Sequence, residues 1–203
     1  AYQAGDADFH TIVAKMADIP RTAAKTINLG LFYGMGKAKL QAELGVSKEK
    51  AEELFSIYHE RVPFVKSLTK SVSNRAQQRG QIRTLLGRLC RFHLWEPNSF
   101  GMHKALPFEQ AVQEHGPGIK RAYTYKALNK LIQGSAADMT KKSMLELYKE
   151  GIVAHIQVHD ELDISVEDDK KAKRIIEIME SAVSLEIPNK VDYEKGKNWG
   201  EIK

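Results

Sequence analysis

The chain has 203 residues, of which 42% are hydrophobic and 28% are charged, and its formal net charge is +5. This composition is typical of a globular protein, and the absence of a long apolar run argues against a transmembrane protein. The length suffices for one full domain or for two lobes that share a core.

The cysteine content and the amino-terminal residues bear on the cellular compartment. Cys90 is the single cysteine and cannot form an internal disulfide, so a reducing compartment is compatible. No signal peptide opens the sequence. Together these features predict a cytoplasmic protein.

The charges are unevenly distributed along the chain. Residues 61–91 contain eight Lys or Arg and no Asp or Glu, whereas residues 160–169 contain six carboxylates. Two solvated surfaces of opposite sign would explain either stretch alone. A protein that binds nucleic acid and uses a metal ion would need both stretches.

The first part of the chain is predicted to be mostly helical. Each helix is expected between a capping residue and a glycine or proline that ends it. The three predicted helices run from Asp18 to about Tyr33 before Gly34, from Ser47 toward Pro63, and from Pro63 to Gln78 before Gly80.

The middle of the chain changes in pattern. Residues 80–95 predict two short extended segments that turn near Gly87. Residues 96–118 contain three prolines and three glycines, so we expect an irregular segment with a lobe boundary near residues 115–118. The following stretch, residues 118–151, fits one long helix or two helices joined at Gly134.

The last part of the chain predicts a hairpin and a helix. Six apolar residues lie at even positions, which is typical of strands with one buried face: Ile152, Ile156, Val158, Leu162, Ile164 and Val166. The strands should meet at His159 and Asp160, a poor sequence for a tight turn, and such departures from turn chemistry often mark functional sites. The remaining predicted elements are a helix from Asp169 to about Leu185, a short strand around Val191 and an anchoring Trp199.

A stripe of residues marks the first predicted helix. Arg21, Lys25, Leu29 and Tyr33 are four residues apart, so each is rotated by about 40° from the last and the stripe is roughly 18 Å long. The cationic end suits a triphosphate, and the apolar end suits a base or sugar. Gly30 costs about 1 kcal/mol against alanine, which close approach of a ligand or backbone would explain. The alternative is an amphipathic helix with snorkelling cations.

Several motifs, in order, resemble those of family A DNA polymerases, the bacterial DNA polymerase I type. The pattern R-x3-K-x7-Y-G at residues 21–34 precedes VHDE at residues 158–161. The other similar segments are DADFH at 6–10, TLLGR at 84–88, LNKLIQGSAAD at 128–138 and PNKVDYEKGKNWGEI at 188–202. The short interval between His10 and Arg21 is more similar to phage members, which would place the protein in the host-cell cytoplasm.

The resemblance implies a role for each matching residue. The nucleotide-binding residues would be His10, Arg21, Lys25, Leu29 and Tyr33. Lys25 would also donate a proton to the leaving pyrophosphate, and Asp160 would be one carboxylate of a site for two Mg²⁺ ions, with Glu161 in support. The DNA-binding residues would be Asn129 and Gln133, which face the minor groove, and His159, which touches the primer-terminal region.

The resemblance also implies the fold and the activity. We expect an α+β fold with a mostly helical fingers subdomain, residues 1–115. The carboxyl-terminal part of the palm subdomain, residues 116–203, would contain an antiparallel β-hairpin flanked by helices. The implied activity is that of a DNA-directed DNA polymerase, a nucleotidyltransferase that adds deoxynucleotides to a primer 3′ end.

Three departures from the family pattern qualify this expectation. Leu29 stands where Phe or Tyr is commoner, and Tyr125 stands where bacterial members usually have arginine. The other metal-binding aspartate of the family lies upstream of the first residue. The expected partners are therefore primer–template DNA, deoxynucleoside triphosphates and an amino-terminal polymerase part that supplies the thumb, the rest of the palm and that aspartate. The alternative is a catalytically inactive DNA-binding remnant.

Overall fold

The computed structural model describes residues 10–11, 14–15, 19–32, 35–99, 101 and 103–202. It contains α-helices and short antiparallel strands, which confirms the α+β prediction. The described residues form two compact units, one ending at Ile132 and the other starting at Gln133. No helix in these ranges is both long and apolar enough to cross a membrane.

Among the residues that the structure describes between positions 21 and 79, four helices follow one another, and three of them were predicted. Ser47 caps the third, because its Oγ accepts a hydrogen bond from the backbone N–H of Lys50 at 3.2 Å. Gly80 ends the fourth with φ 67, as its position predicts. Asp18 and Gly34, the predicted limits of the first helix, lie outside the described residues. The helices are α1 (Arg21–Phe32), α2 (Lys37–Leu44), α3 (Lys48–Arg61) and α4 (Pro63–Arg79).

The sequence did not predict α2. This helix has eight residues, and Leu40 is its one buried side chain. A helix with a single buried residue has no apolar period to detect, so its position depends on contacts with α1 and α3.

Residues 81–121 form two small antiparallel sheets. The prediction of a turn near Gly87 is confirmed, since β1 (Gln81–Arg83) pairs with β2 (Leu89–Arg91). In the second sheet, β3 (Leu94–Pro97) lies between β4 (Leu106–Pro107) and β5 (Ile119–Arg121).

The prediction that residues 96–118 are irregular is wrong. Helix α5 (Phe108–His115) follows β4 and packs on β3, with the rings of Phe108 and Trp95 5.1 Å apart. The prolines and glycines of this stretch lie at the ends of elements: Pro97 ends β3, Pro107 precedes α5 and Gly116 follows it. In this stretch proline and glycine therefore mark the ends of short strands and a short helix, and they do not prevent these elements from forming.

The long helix α6 (Ala127–Lys149) runs through Gly134 without a break, so one helix and not two follows β5. It begins after a 3₁₀ turn at Thr124–Lys126, later than the predicted start at residue 118. Tyr123, with φ 60, sets the chain into this turn.

The second unit contains the predicted hairpin and a final helix. β6 (Ile156–Val158) pairs with β7 (Glu161–Asp163), and α7 (Asp169–Ser181) is capped by Asp168, which accepts a hydrogen bond from the backbone N–H of Lys171 at 2.7 Å. Two predictions for the chain end are wrong: Val191 is not in a strand, and Trp199, which is 56% exposed, is not a buried anchor. The apolar core of this unit is formed by Leu147, Ile152, Ile175 and Ile178.

The hairpin register corrects the predicted one-faced alternation. Val158 pairs with Glu161, and Ile156 with Asp163, so side chains that share a face have opposite parity in the two strands. Even positions therefore face the core in only one of the strands. Leu162 packs on the apolar core, whereas Ile156 and Val158 are 42% and 37% exposed.

Candidate functional site

The predicted stripe on α1 lies at the surface. Arg21, Lys25 and Leu29 are exposed, and 46% of Leu29 is accessible to solvent. The buried positions of the same helix, spaced by three and four residues, are Ala24, Ile27 and Leu31. Because these positions turn away from the stripe, the cations and Leu29 form one accessible surface. Tyr33, the last member of the stripe, lies outside the described residues.

His10 is tied to this helix by a residue that sequence reasoning missed. Asn28 is only 2% exposed, and its Nδ2 donates to His10 Nδ1 at 3.1 Å. The bond places His10 next to the helix turn that carries Lys25 and Leu29. The sequence contains a signal for this role of Asn28. It lies four residues after Ala24, on the apolar side of the helix, and an amide buried there requires a polar partner.

Gly30 has an explanation other than the predicted ligand or backbone approach. A Cβ at this position would lie 2.2 Å from Met35 Cε and 2.7 Å from Met35 Sδ. The Met35 side chain occupies that space, and its backbone N–H donates to the Gly30 carbonyl at 2.8 Å. The glycine thus leaves room for the Met35 side chain, and approach of a ligand at this point stays a prediction.

The hairpin turn in the second unit carries the predicted acidic residues. His159 has φ 55, a left-handed conformation that is unfavourable for a residue with a side chain. The Gln157 side chain supports it, since Nε2 donates to the His159 carbonyl at 2.9 Å. Asp160 and Glu161 are exposed, and within the described ranges neither carboxylate takes part in a hydrogen bond or ion pair.

The acidic turn offers the carboxylates of Asp160 and Glu161 to a metal ion. Carboxylate oxygens are hard ligands of the kind that Mg²⁺ prefers, and both carboxylates are accessible. Among the residues that the structure describes, however, no three His, Cys, Asp or Glu side chains come together as a metal site. The turn therefore fits Mg²⁺ in the chemistry of its donors, and the further ligands would come from elsewhere.

The predicted DNA-binding residues of α6 are both exposed. Asn129 and Gln133 lie four residues apart on this helix, a spacing that places two side chains on the same side. Tyr125, in the 3₁₀ turn before the helix, is 65% exposed. The stripe belongs to the first compact unit and the acidic turn to the second.

The chain is similar to known polymerases over almost its whole length. The sequence model of a family described as DNA polymerase family A matches residues 1–201. The chain is 34% identical to a DNA-directed DNA polymerase of Pseudomonas phage M6, over 95% of this chain and 31% of the relative. It is 32% identical to DNA polymerase I of Bacillus caldotenax, over 90% of this chain and 20% of that protein.

A solved structure gives the same result for the fold. The POL domain of Pol1 from M. smegmatis, in complex with DNA primer-template and dNTP, matches with a TM-score of 0.71 and 28% identity. The match covers 93% of this chain and 33% of that chain. The chain thus spans about a third or less of the length of these relatives.

Proposed function

The chain belongs to DNA polymerase family A, and from this premise we propose that it is the carboxyl-terminal part of a template-directed DNA polymerase. It binds primer–template DNA and deoxynucleoside triphosphates, and it adds a nucleotide to the primer 3′ end with release of pyrophosphate. The observation that carries this proposal is the strained turn at His159, which presents Asp160 and Glu161 to solvent without partners among the described residues. Such strain is typically retained where it serves function.

The α1 stripe binds the incoming nucleotide in this proposal. Arg21 and Lys25 bind the triphosphate through charge-assisted hydrogen bonds, and Lys25 donates a proton to the leaving pyrophosphate. Leu29 lies against the sugar and base, and Tyr33 covers the template side of the new base pair. The exposure of the two cations and of Leu29 supports these roles.

His10 contributes to the same nucleotide site. Asn28 Nδ2 lies 3.1 Å from Nδ1 of the ring, and this contact fixes the imidazole beside α1. The buried Asn28 holds the ring in this orientation, and we assign Asn28 a positioning role.

The acidic turn holds the metal ions. Asp160 would be a direct Mg²⁺ ligand, and Glu161, which follows it at the start of β7, would support the site. When bound, two Mg²⁺ ions activate the primer 3′-hydroxyl and stabilise negative charge on the leaving pyrophosphate. His159 contacts the primer-terminal region, while Asn129 and Gln133 reach minor-groove acceptors that are similarly placed in all base pairs.

The catalytic centre is completed by an amino-terminal polymerase part. In this assignment residues 1–115 are the fingers and residues 116–203 are the last part of the palm. The other part supplies the thumb, the rest of the palm and the second metal aspartate. Two observations support this need: the described residues hold no three-ligand metal cluster, and the chain covers 31% of the phage relative.

Primer extension tests the proposal. We expect no extension by the 203-residue chain alone and extension after it is combined with its amino-terminal part. Asp160→Asn should abolish that activity, whereas Asp192→Asn, which removes an exposed carboxylate far along the chain from the turn, should not. Extension by the isolated chain would contradict the need for a second part. DNA binding without extension in the combined protein would favour the inactive remnant.

A further inference from the structure

Two stretches of the first unit that lack acidic residues pack against each other. Residues 61–91 contain eight Lys or Arg, residues 115–132 contain four, and neither stretch contains Asp or Glu. The 3₁₀ turn Thr124–Lys126 contacts α4, and Ala127 shares an apolar cluster with Val72 of α4. The fold therefore combines two basic segments in one compact unit.

Two lysines of this region are held over aromatic rings. Lys126 Nζ lies 5.1 Å from the ring centroid of Tyr123 and 5.5 Å from that of Tyr125. Lys130 Nζ lies 4.8 Å from the ring centroid of Phe92. All three distances are within the range of cation–π attraction. Within the described ranges neither lysine forms an ion pair with a carboxylate.

Lys120 and Arg121, the nearest cations in the sequence, have oxygen partners, whereas the ammonium groups of Lys126 and Lys130 lie over aromatic rings of the described residues. Lys120 Nζ lies 3.8 Å from a carboxylate oxygen of Glu96. Arg121 donates to the Phe92 carbonyl at 2.9 Å and lies over the Trp95 ring at 4.5 Å. A carboxylate partner would largely cancel a positive charge, whereas an aromatic ring positions the ammonium group and leaves its charge available.

The two lysines flank one of the proposed DNA-binding residues. Asn129 and Lys130 lie three and four residues after Lys126, which ends the 3₁₀ turn that leads into α6, so both follow Lys126 by about one helical turn. All three are exposed. This surface thus presents a neutral amide beside two ammonium groups.

We propose that Lys126 and Lys130 bind neighbouring phosphates of one strand of duplex DNA while Asn129 reaches the minor groove beside them. This inference rests on the proposed function. Side chains four residues apart on a helix are on the order of 6 Å apart at Cβ, which suits contacts to consecutive phosphates. The rings restrict the lysine rotamers before binding, and this lowers the entropic cost of immobilising them on DNA.

The salt dependence of DNA binding tests this role. The affinity of the 203-residue chain for a duplex primer–template is measured between about 50 and 200 mM NaCl. The slope of the logarithm of the association constant against log [NaCl] is negative. In the double variant Lys126→Ala/Lys130→Ala its magnitude should be smaller by about 1.8, because each lost phosphate contact lowers that magnitude by about 0.9. Lys126→Arg/Lys130→Arg should keep the wild-type slope.

Two further double variants separate charge from packing. Lys126→Met/Lys130→Met retains an unbranched stem over the rings without the charge, so it should show the same loss of slope even if the alanine variant is unstable. Lys170→Ala/Lys173→Ala removes two exposed lysines of α7 and should leave the slope unchanged.

The outcomes distinguish the two proposals. A methionine variant with the wild-type slope would overturn the phosphate contacts and leave the proposed polymerase function intact. An equal loss of slope in the α7 control would also overturn the phosphate contacts of Lys126 and Lys130, because removal of any two exposed lysines would then have the same effect. A wild-type chain that binds no duplex at any salt concentration would overturn both.

Discussion

Val158 pairs with Glu161 across a turn of two residues. This register leaves His159 and Asp160 at the tip of the hairpin and places Glu161 on the face that also carries the exposed Val158. Strand pairing therefore does not bury the acidic residues, and the left-handed backbone at His159 is the local cost of presenting them.

Substitution of His159 should separate strain from function. His159→Gly relieves the left-handed strain but adds freedom to the unfolded chain, so the free energy of unfolding should stay within about 1 kcal/mol of wild type. His159→Val should lower it by about 2 kcal/mol, because a β-branched residue tolerates positive φ poorly. Urea denaturation measures both. If His159 contacts the primer terminus, the glycine variant should bind primer–template more weakly, and unchanged affinity would contradict that role.

Lys25→Ala tests proton donation and charge stabilisation on the leaving pyrophosphate. In the polymerase combined with its amino-terminal part, kcat should fall on the order of a hundredfold, equivalent to about 3 kcal/mol, along with nucleotide affinity. Lys39→Ala removes an exposed lysine of α2 and serves as the matched control. An unchanged rate at saturating nucleotide would mean that Lys25 is a snorkelling surface cation.

Leu29 should control the use of dideoxynucleotides. A leucine offers no hydrogen-bonding group in place of the missing 3′-hydroxyl, so the wild-type polymerase should disfavour such nucleotides strongly. Leu29→Tyr should shift the preference toward the dideoxy substrate by about 1–3 kcal/mol, the value of a hydrogen bond to an otherwise unpaired group. A competition between dideoxy and deoxy substrates measures the ratio. Equal ratios in both proteins would mean that Leu29 does not face the sugar.

His59 should make stability depend on pH. It lies in a groove of about 550 Å³ whose charged residues are Lys37, Glu52, Glu60 and Lys66. Its Nδ1 is buried without a hydrogen-bond partner in the described part of the chain. Burial, and then the charge of Lys66, lower the pKa of His59 in the folded protein.

The sign of the effect follows from this lowered pKa. The unfolded chain binds the proton more readily, so the contribution of His59 is complete above the ordinary histidine pKa of about 6.5 and is lost as the pH falls through the folded value. The difference in free energy of unfolding between wild type and His59→Gln should therefore shrink between pH 7.5 and 5.5. His93→Gln, at an exposed histidine, is the control. A difference that is constant with pH would contradict the lowered pKa.

Features set by neighbouring residues were predictable from the sequence. Ser47 caps α3 through its own hydroxyl, Gly80 ends α4 in a conformation that glycine adopts readily, and the loop at His159–Asp160 joins two adjacent strands. Each depends on residues within one turn or hairpin, so the local pattern contains the necessary information. The ordered polymerase motifs likewise identified the family, because a motif is a property of the chain.

Features that join distant residues were decided by the tertiary structure. The amide of Asn28 reaches His10, which is 18 residues away, and Met35 occupies the space beside Gly30. The sheet of β3, β4 and β5 unites residues 94–121 although proline and glycine predicted a loop. In the hairpin, the pairing register of the two strands determines whether an even-numbered residue faces the core or the solvent. The sequence by itself thus determined the capped helices, the hairpin turn and the family. The tertiary structure decided the remaining elements and which faces are buried, because burial depends on partners that local periodicity does not specify.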